Sequence, residues 1–252
     1  LDKAPMLYIG EKVGTTRGPK IDIAVDPLEG TNCAANNLPG ALSVIAIAEK
    51  DNLFHAPETY MEKISSKVNE KGVIDLDHTV KENIFNLCEY LNKKPESITA
   101  CILDRPRHKK IIAEINKLGA KIKLISDGDV SGALLVTDEK YDVDIFLGIG
   151  GGPEGVLAAS ALDSFNCVFQ GRFLFDTEVD KLRANKMGIK NLTKKYELNE
   201  IVKGDTIFCA TGITSGDLVS GIKIENDELT TETLVTHKSS GLKKIIKKIV
   251  NK

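Results

Sequence analysis

The stretch ITACILD (98–104), RPRHKKIIAEINKLG (105–119), KIKLIS (121–126) decides the fold class. Its first and last pieces are short apolar runs rich in β-branched residues, the signature of buried strands. The middle piece carries Ile111, Ile112, Ile115 and Leu118, one stripe of a helix, and Gly119 follows as a C-cap. Strand, helix and strand in this order predict a layered α/β protein.

The pattern continues in both directions. IDIAVD (21–26) and ALSVIAIAE (41–49) read as strands upstream. Downstream, DGDVSGALLV opens a helix with Asp129 as N-cap, and YDVDIFLGI (141–149) is a strand. GGGPEGVLAASAL then enters a helix with Pro153 in its first turn. TIFCATG (206–212) and TTETLV (230–235) are further strands, and the Lys-rich LKKIIKKIV end is a solvated surface helix or strand. In α/β folds ligands collect at the carboxyl ends of strands. Asp26, Arg105, Asp127 and the Gly150–Gly155 turn all fall at such ends, which predicts one shared site.

Composition excludes several classes. The 252 residues are 42% apolar and 28% charged with net charge −2, so nothing favours a nucleic-acid partner. No apolar run reaches membrane-spanning length and no signal peptide opens the chain. Five widely spaced Cys without a CxxC fit a reducing, cytoplasmic setting rather than a disulfide framework. The chain opens on Leu1 in mid-phrase, which reads as an incomplete N-terminus.

Four short motifs carry potential chemistry. In DPLEGT (26–31) Pro27 stiffens the chain and Gly30 permits a tight turn, so Asp26, Glu29 and Thr31 can converge. Two carboxylates there suit a hard ion such as Mg²⁺ or Mn²⁺, although a solvated polar turn has the same spacing. GGGPEG (150–155) matches the spacing of a dinucleotide fingerprint, but Glu154 would repel a pyrophosphate. With a divalent ion the turn makes sense: bare glycine amides hold phosphate and Glu154 holds metal. RPR (105–107) offers forked guanidinium groups to phosphate, and DGD (127–129) offers acids to hydroxyls or metal. His108 has no Ser or Cys partner motif, so a nucleophilic triad is unsupported. Jointly the groups describe metal-assisted hydrolysis of a phosphorylated polyol.

APMLYIGEKVG, IDIAVDPLEGT, APETYMEK, RPRH, DGDVSGALL, GIGGGPEGVLAA, IFCATGITSGDL and TTETL, in this order, resemble class II (GlpX-type) fructose-1,6-bisphosphatases over nearly the whole chain. These belong to the lithium-sensitive, metal-dependent sugar phosphatases. The resemblance implies the layered α-β-α-β-α, inositol monophosphatase-like fold, as a single unit with two intimate halves of about 1–97 and 98–252. It implies Asp26, Glu29 and Glu154 as ligands of Mg²⁺ or Mn²⁺, with Thr31 assisting the attacking water. It implies sugar-phosphate contacts from Glu29, Gly30, Thr31, Tyr60, Arg105, Pro106, Arg107, Asp127, Gly128, Asp129 and Gly151. Arg105 stands where the family commonly has Lys. Further metal-ligating acids of the family would precede Leu1. A homo-oligomer, dimer or tetramer, is implied as well. The rival readings are a phosphatase for sedoheptulose 1,7-bisphosphate or an inositol phosphate, a non-catalytic sugar-phosphate-binding subunit, and a dinucleotide oxidoreductase resting on the glycines alone.

Overall fold

The computed structural model describes residues 10–15 and 17–251, so the APMLYI part of the first motif lies outside the described residues. In chain order the described elements are β1 (Ile21–Glu29), α1 (Thr31–Ala35), β2 (Leu42–Glu49), β3 (Tyr60–Ser66), α2 (Val80–Leu91), β4 (Thr99–Leu103), α3 (Lys109–Lys117), β5 (Lys121–Ile125), α4 (Asp129–Leu134), β6 (Ile145–Gly151), α5 (Gly152–Asp163), β7 (Val168–Leu174), α6 (Glu178–Lys186), β8 (Lys195–Glu197), α7 (Leu198–Ile201), β9 (Thr206–Gly212), β10 (Lys223–Glu225), β11 (Glu228–His237) and β12 (Leu242–Asn251). They form two sheets and seven α-helices, a mixed α/β architecture.

The first sheet runs β1-β2-β9-β11 and is antiparallel throughout; β10 and β12 flank β11. The second runs β5-β4-β6-β3-β7-β8, with β5, β4 and β6 parallel and the rest antiparallel. Side-chain parity sorts the second sheet's two faces. Met61, Cys101, Leu103, Phe146, Phe169 and Phe173 enter one core, while Ile64, Ala100, Ile102, Ile145 and Leu147 enter another beside Ile84, Leu87 and Ile115 of α2 and α3. Leu42, Val44, Ala46, Phe208 and Ala210 of the first sheet join the former core. Helix α5 fills it and packs on strands of both sheets. The described layers are therefore sheet, helices, sheet, helices.

Helix α5 is apolar around its whole girth because both sides are covered. Its Gly155 is explained by closeness: a Cβ there would stand 2.5 Å from the Met61 sulfur, and one at Gly171 would stand 2.6 Å from it. Two glycines thus make the notch that seats Met61 and lets α5 approach β3.

Several expectations need correction. The strand expected over 141–149 begins at Ile145, because Glu139–Tyr141 forms a 3₁₀ turn and Asp142 takes a left-handed φ of 50°. Asp129 is the first residue of α4 rather than its N-cap; Gly128, at φ 93°, fills that position. Strand β3 belongs to the second sheet, and β9 to β12 return to the first. Among the described residues no outer helical layer covers the far face of the first sheet, where Ile21, Ile23 and Ile207 are exposed. The LKKIIKKIV end, expected as a solvated helix or strand, is indeed an exposed edge strand, β12, and its lysines suit an unpaired edge.

Gly155→Ala is expected to lower unfolding free energy by ~2 kcal/mol through overpacking against Met61. Denaturant unfolding reads this directly; an unchanged midpoint would contradict the close seating of α5.

Candidate active site

DPLEGT ends β1. The pairing of β1 with β2 slips between Asp26 and Glu29, so Pro27 sits in an irregularity where no ladder amide is required. Gly30, at φ 78°, turns the chain into α1, whose exposed first residue is Thr31. The turn sends Glu29 inward, to 1% exposure. Its Oε1 accepts from the Val130 amide at 2.7 Å and the Ser131 amide at 3.4 Å, at the start of α4. Its Oε2 is buried with no hydrogen-bond partner. Burial pushes the Glu29 carboxyl up to about 8, against the pull of the Val130 amide and with added repulsion from Glu154 and Asp129.

Asp129 and Glu154 complete an acidic cluster. Asp129 is buried and paired with the ammonium of Lys63. Burial opposes its ionisation, but Lys63 overcomes this and holds the carboxyl below its usual range. Glu154, in the first turn of α5, accepts from the Gly151 amide at 2.8 Å and lies 3.7 Å from Lys63. Burial raises its carboxyl to about 6, although Lys63 pulls the other way.

The second group surrounds Asp127. Arg105 donates to Asp127 Oδ1 at 2.8 Å and also to the Ser126 carbonyl, while the Asn32 amide of α1 donates to Asp127 Oδ2 at 3.0 Å. Asp127 therefore ties the RPR turn to the turn after DPLEGT. Asp26 is half-buried, with Oδ1 accepting from the Leu28 amide at 3.0 Å. Burial raises its carboxyl, the Leu28 bond opposes this, and Asp127 adds to the rise.

The third group is a corner of Arg107, Tyr60 and Gly151. Tyr60 pairs with Gly151 across β3 and β6. Arg107 donates Nε–H to the Ile149 carbonyl at 2.8 Å and lays its guanidinium 5.0 Å from the Tyr60 ring centre. Both side chains are exposed, so the outer edge of the guanidinium faces solvent. Arg105, by contrast, is spent on Asp127 and Ser126. Pro106 opens the 3₁₀ turn between the two arginines.

One expectation fails here. The glycine amides of GGGPEG are not a bare phosphate cradle: β6 runs on through Gly151, whose amide is taken by Glu154, and the Gly152 amide donates to Thr59 O at 2.7 Å. Asp129 and Gly128 are both buried. Gly128 is required instead by its left-handed φ and its closeness to Glu29, whose Oε1 would lie 3.3 Å from a Cβ.

Asp26, Glu29 and Glu154 were expected to ligate metal. Among the described residues no three His, Cys, Asp or Glu side chains form a group ready to hold an ion. Asp26 faces Asp127, and Lys63 stands between Asp129 and Glu154. Even so, the donor set fits a hard cation at Glu29. A buried carboxylate oxygen without a partner, repelled by two neighbouring acids, is chemically incomplete without a proton or a positive charge.

A family model for bacterial fructose-1,6-bisphosphatase, glpX-encoded, matches residues 1–250. The chain belongs to that family. It is 40% identical over 248 residues to a D-fructose 1,6-bisphosphatase class 2/sedoheptulose 1,7-bisphosphatase of Prochlorococcus marinus strain MIT 9515, covering 93% of this chain and 74% of that protein. The protein of the same name from Synechocystis sp. strain PCC 6803 is 39% identical over 270 residues, covering 97% of this chain and 78% of its own.

For a GlpX-type chain two buried residues matter beyond the sequence expectations: Lys63, given no role there, and His108, weighed only as a triad member. Lys63 follows Met61 by two, and strand parity would have aimed it at the same interlayer core. His108 is fully buried; its Nδ1 lies 2.7 Å from Leu103 O and its Nε2 lies 2.8 Å from the Ile149 amide. An amide only donates, so Nε2 accepts and Nδ1 carries the proton. The ring bridges β4 and β6 beyond their ladder, which pairs only Ala100 with Ile145 and Cys101 with Phe146.

Burial lowers the His108 pKa, and nearby Arg107 lowers it further, against the bonds to Leu103 and Ile149 and the charge of Asp129. The folded state thus keeps the ring neutral where the unfolded chain would protonate it. This contribution to stability is complete above the ordinary value of 6.5 and is lost as pH falls through the folded value. Unfolding free energy should decline on acidification below pH 6.5, and His108→Gln should flatten that part of the profile. An identical pH profile in the variant would refute the neutral bridge.

Proposed function

We propose that this chain hydrolyses fructose 1,6-bisphosphate to fructose 6-phosphate and inorganic phosphate with bound Mg²⁺ or Mn²⁺. The observation that carries the reading is the incomplete Glu29 carboxylate, buried without a partner on Oε2 and repelled by Glu154. Glu29 Oε2 and Glu154 are the groups to hold the ion. When bound, the ion supplies Lewis-acid polarisation of a phosphoryl oxygen and lowers the pKa of a coordinated water.

The remaining steps belong to the chain. Thr31, exposed two residues after Glu29, orients the attacking water through its hydroxyl. Arg107 takes a substrate phosphate with its free guanidinium edge, held flat by Tyr60 and anchored through Ile149 O. Arg105 and Asp127 fix the start of α1, and so the place of Thr31, through the Asn32 amide. Asp26 flanks this junction beside Asp127. Gly151 lets the chain pass beneath Tyr60 without a side chain of its own.

The names of the relatives join a second substrate, sedoheptulose 1,7-bisphosphate. A single extra carbon is read by pocket shape, so both substrates belong in one assay.

Phosphate release from each bisphosphate, with a chelator and with Mg²⁺ or Mn²⁺, tests the reading. Release is expected only with the ion; none with fructose 1,6-bisphosphate, or equal release in chelator, would refute it. Arg107→Met should raise KM about tenfold or more with a smaller change in kcat, because a charge-assisted bond to phosphate is lost. Arg105→Met should change kcat more than KM, since Arg105 acts through Asp127. The reverse pattern would reassign the phosphate contact.

A further inference from the structure

Lys63 is the least expected charge in the molecule. It lies on β3, a central strand of the second sheet, and is 1% exposed. Its neighbours two residues away on the same face, Met61 and Ser65, are fully buried as well. The ammonium meets two acids, Asp129 and Glu154.

The surroundings are shaped for this contact. Gly148 and Gly150 stand opposite Lys63 and Met61 across β6. A Cβ at Gly150 would overlap the Asp129 carboxylate, and one at Gly155 would come 3.4 Å from Lys63 Cε. Glycines that read as a phosphate loop therefore clear space for an internal ion pair. A buried ion pair is a poor source of stability compared with an apolar side chain of the same volume. Its place between two acids of the site points to a role in the reaction.

We propose that Lys63 is a positioning residue: a tethered cation that holds Asp129 and one oxygen of Glu154, leaving the divalent ion to the other Glu154 oxygen and Glu29. The proposal rests on the reading of Glu29 and Glu154 as ligands. Glu154 Oε2 already faces two donors, the Gly151 amide and Lys63. Asp129 is held by Lys63, so it does not take the ion. The positive charge of Lys63 also weakens attraction for the ion near Asp129.

Mn²⁺ binding by calorimetry, without substrate, distinguishes this from a merely structural role. Lys63→Met removes the competing charge and frees both acids. Mn²⁺ should bind about tenfold more tightly while kcat falls about 100-fold, since the ion is drawn towards Asp129. A structural defect would weaken binding and turnover together. In Lys63→Met with Asp129→Asn, a charge-balanced pair that keeps the protein folded if the single variant does not fold, Mn²⁺ affinity should return to about the wild-type value with turnover still depressed. Unchanged or weaker Mn²⁺ binding in folded Lys63→Met, or wild-type turnover in the double variant, overturns the proposal. In the wild type, ¹⁵N-lysine NMR should reveal one slowly exchanging ammonium that persists when Mg²⁺ is added; its disappearance would equally overturn it. The calorimetry and NMR need no substrate, so a failure of the fructose 1,6-bisphosphate assay leaves them intact.

Discussion

Glu29 carries a carboxylate whose two oxygens live in different worlds. One is held by the first amides of α4, and the other is buried without a partner. Much of the crevice exists to keep it there. The irregular pairing of β1 at Pro27 and the left-handed Gly30 turn it inward, and Gly128 leaves room for it beneath α4. A carboxylate so placed is stable only as an acid or beside a cation. The structure therefore stores a demand for positive charge at the end of β1.

That demand explains how charge is distributed around the crevice. Asp129 has its own cation in Lys63, and Asp127 has its own in Arg105. Glu29 has none, and Glu154 shares Lys63 only at 3.7 Å. The incomplete acids thus lie side by side, while the completed ones act as braces. The arginines differ too: Arg105 bonds Asp127 and the Ser126 carbonyl, while Arg107 bonds the Ile149 carbonyl and is exposed.

Much of this was legible from local chemistry. TIFCATG was read as a strand with the bounds that β9 has, and KIKLIS as β5 to within a residue. The strand-end turns are linked in pairs: Asp127 bonds Arg105 and the Asn32 amide, and Gly150 abuts Asp129. β3 does not show in the sequence, because Lys63 and Ser65 interrupt one face and Glu62 and Ser66 the other. α2 was not read either, although Thr79 and Glu82 spell its capping box. Pairing direction was illegible, since it depends on contacts far apart in sequence. The glycine loop misled for a physical reason. Glycine permits both anion contact and close packing, and only the partners of the Gly151 and Gly152 amides decide between them.

The claim that Glu29 awaits a cation is tested by thermal unfolding of the wild type and Glu29→Gln at pH 7, in chelator and in increasing Mn²⁺. Between the ordinary value of 4.5 and about 8 the folded carboxyl keeps a proton that the unfolded chain releases, so without an ion stability falls as pH rises. A neutral amide removes that cost. In chelator the variant should melt at or above the wild-type temperature. Added Mn²⁺ should raise the wild-type midpoint progressively and leave the variant nearly unmoved. Equal stabilisation of both proteins by Mn²⁺, or a variant that melts well below the wild type in chelator, would contradict the account.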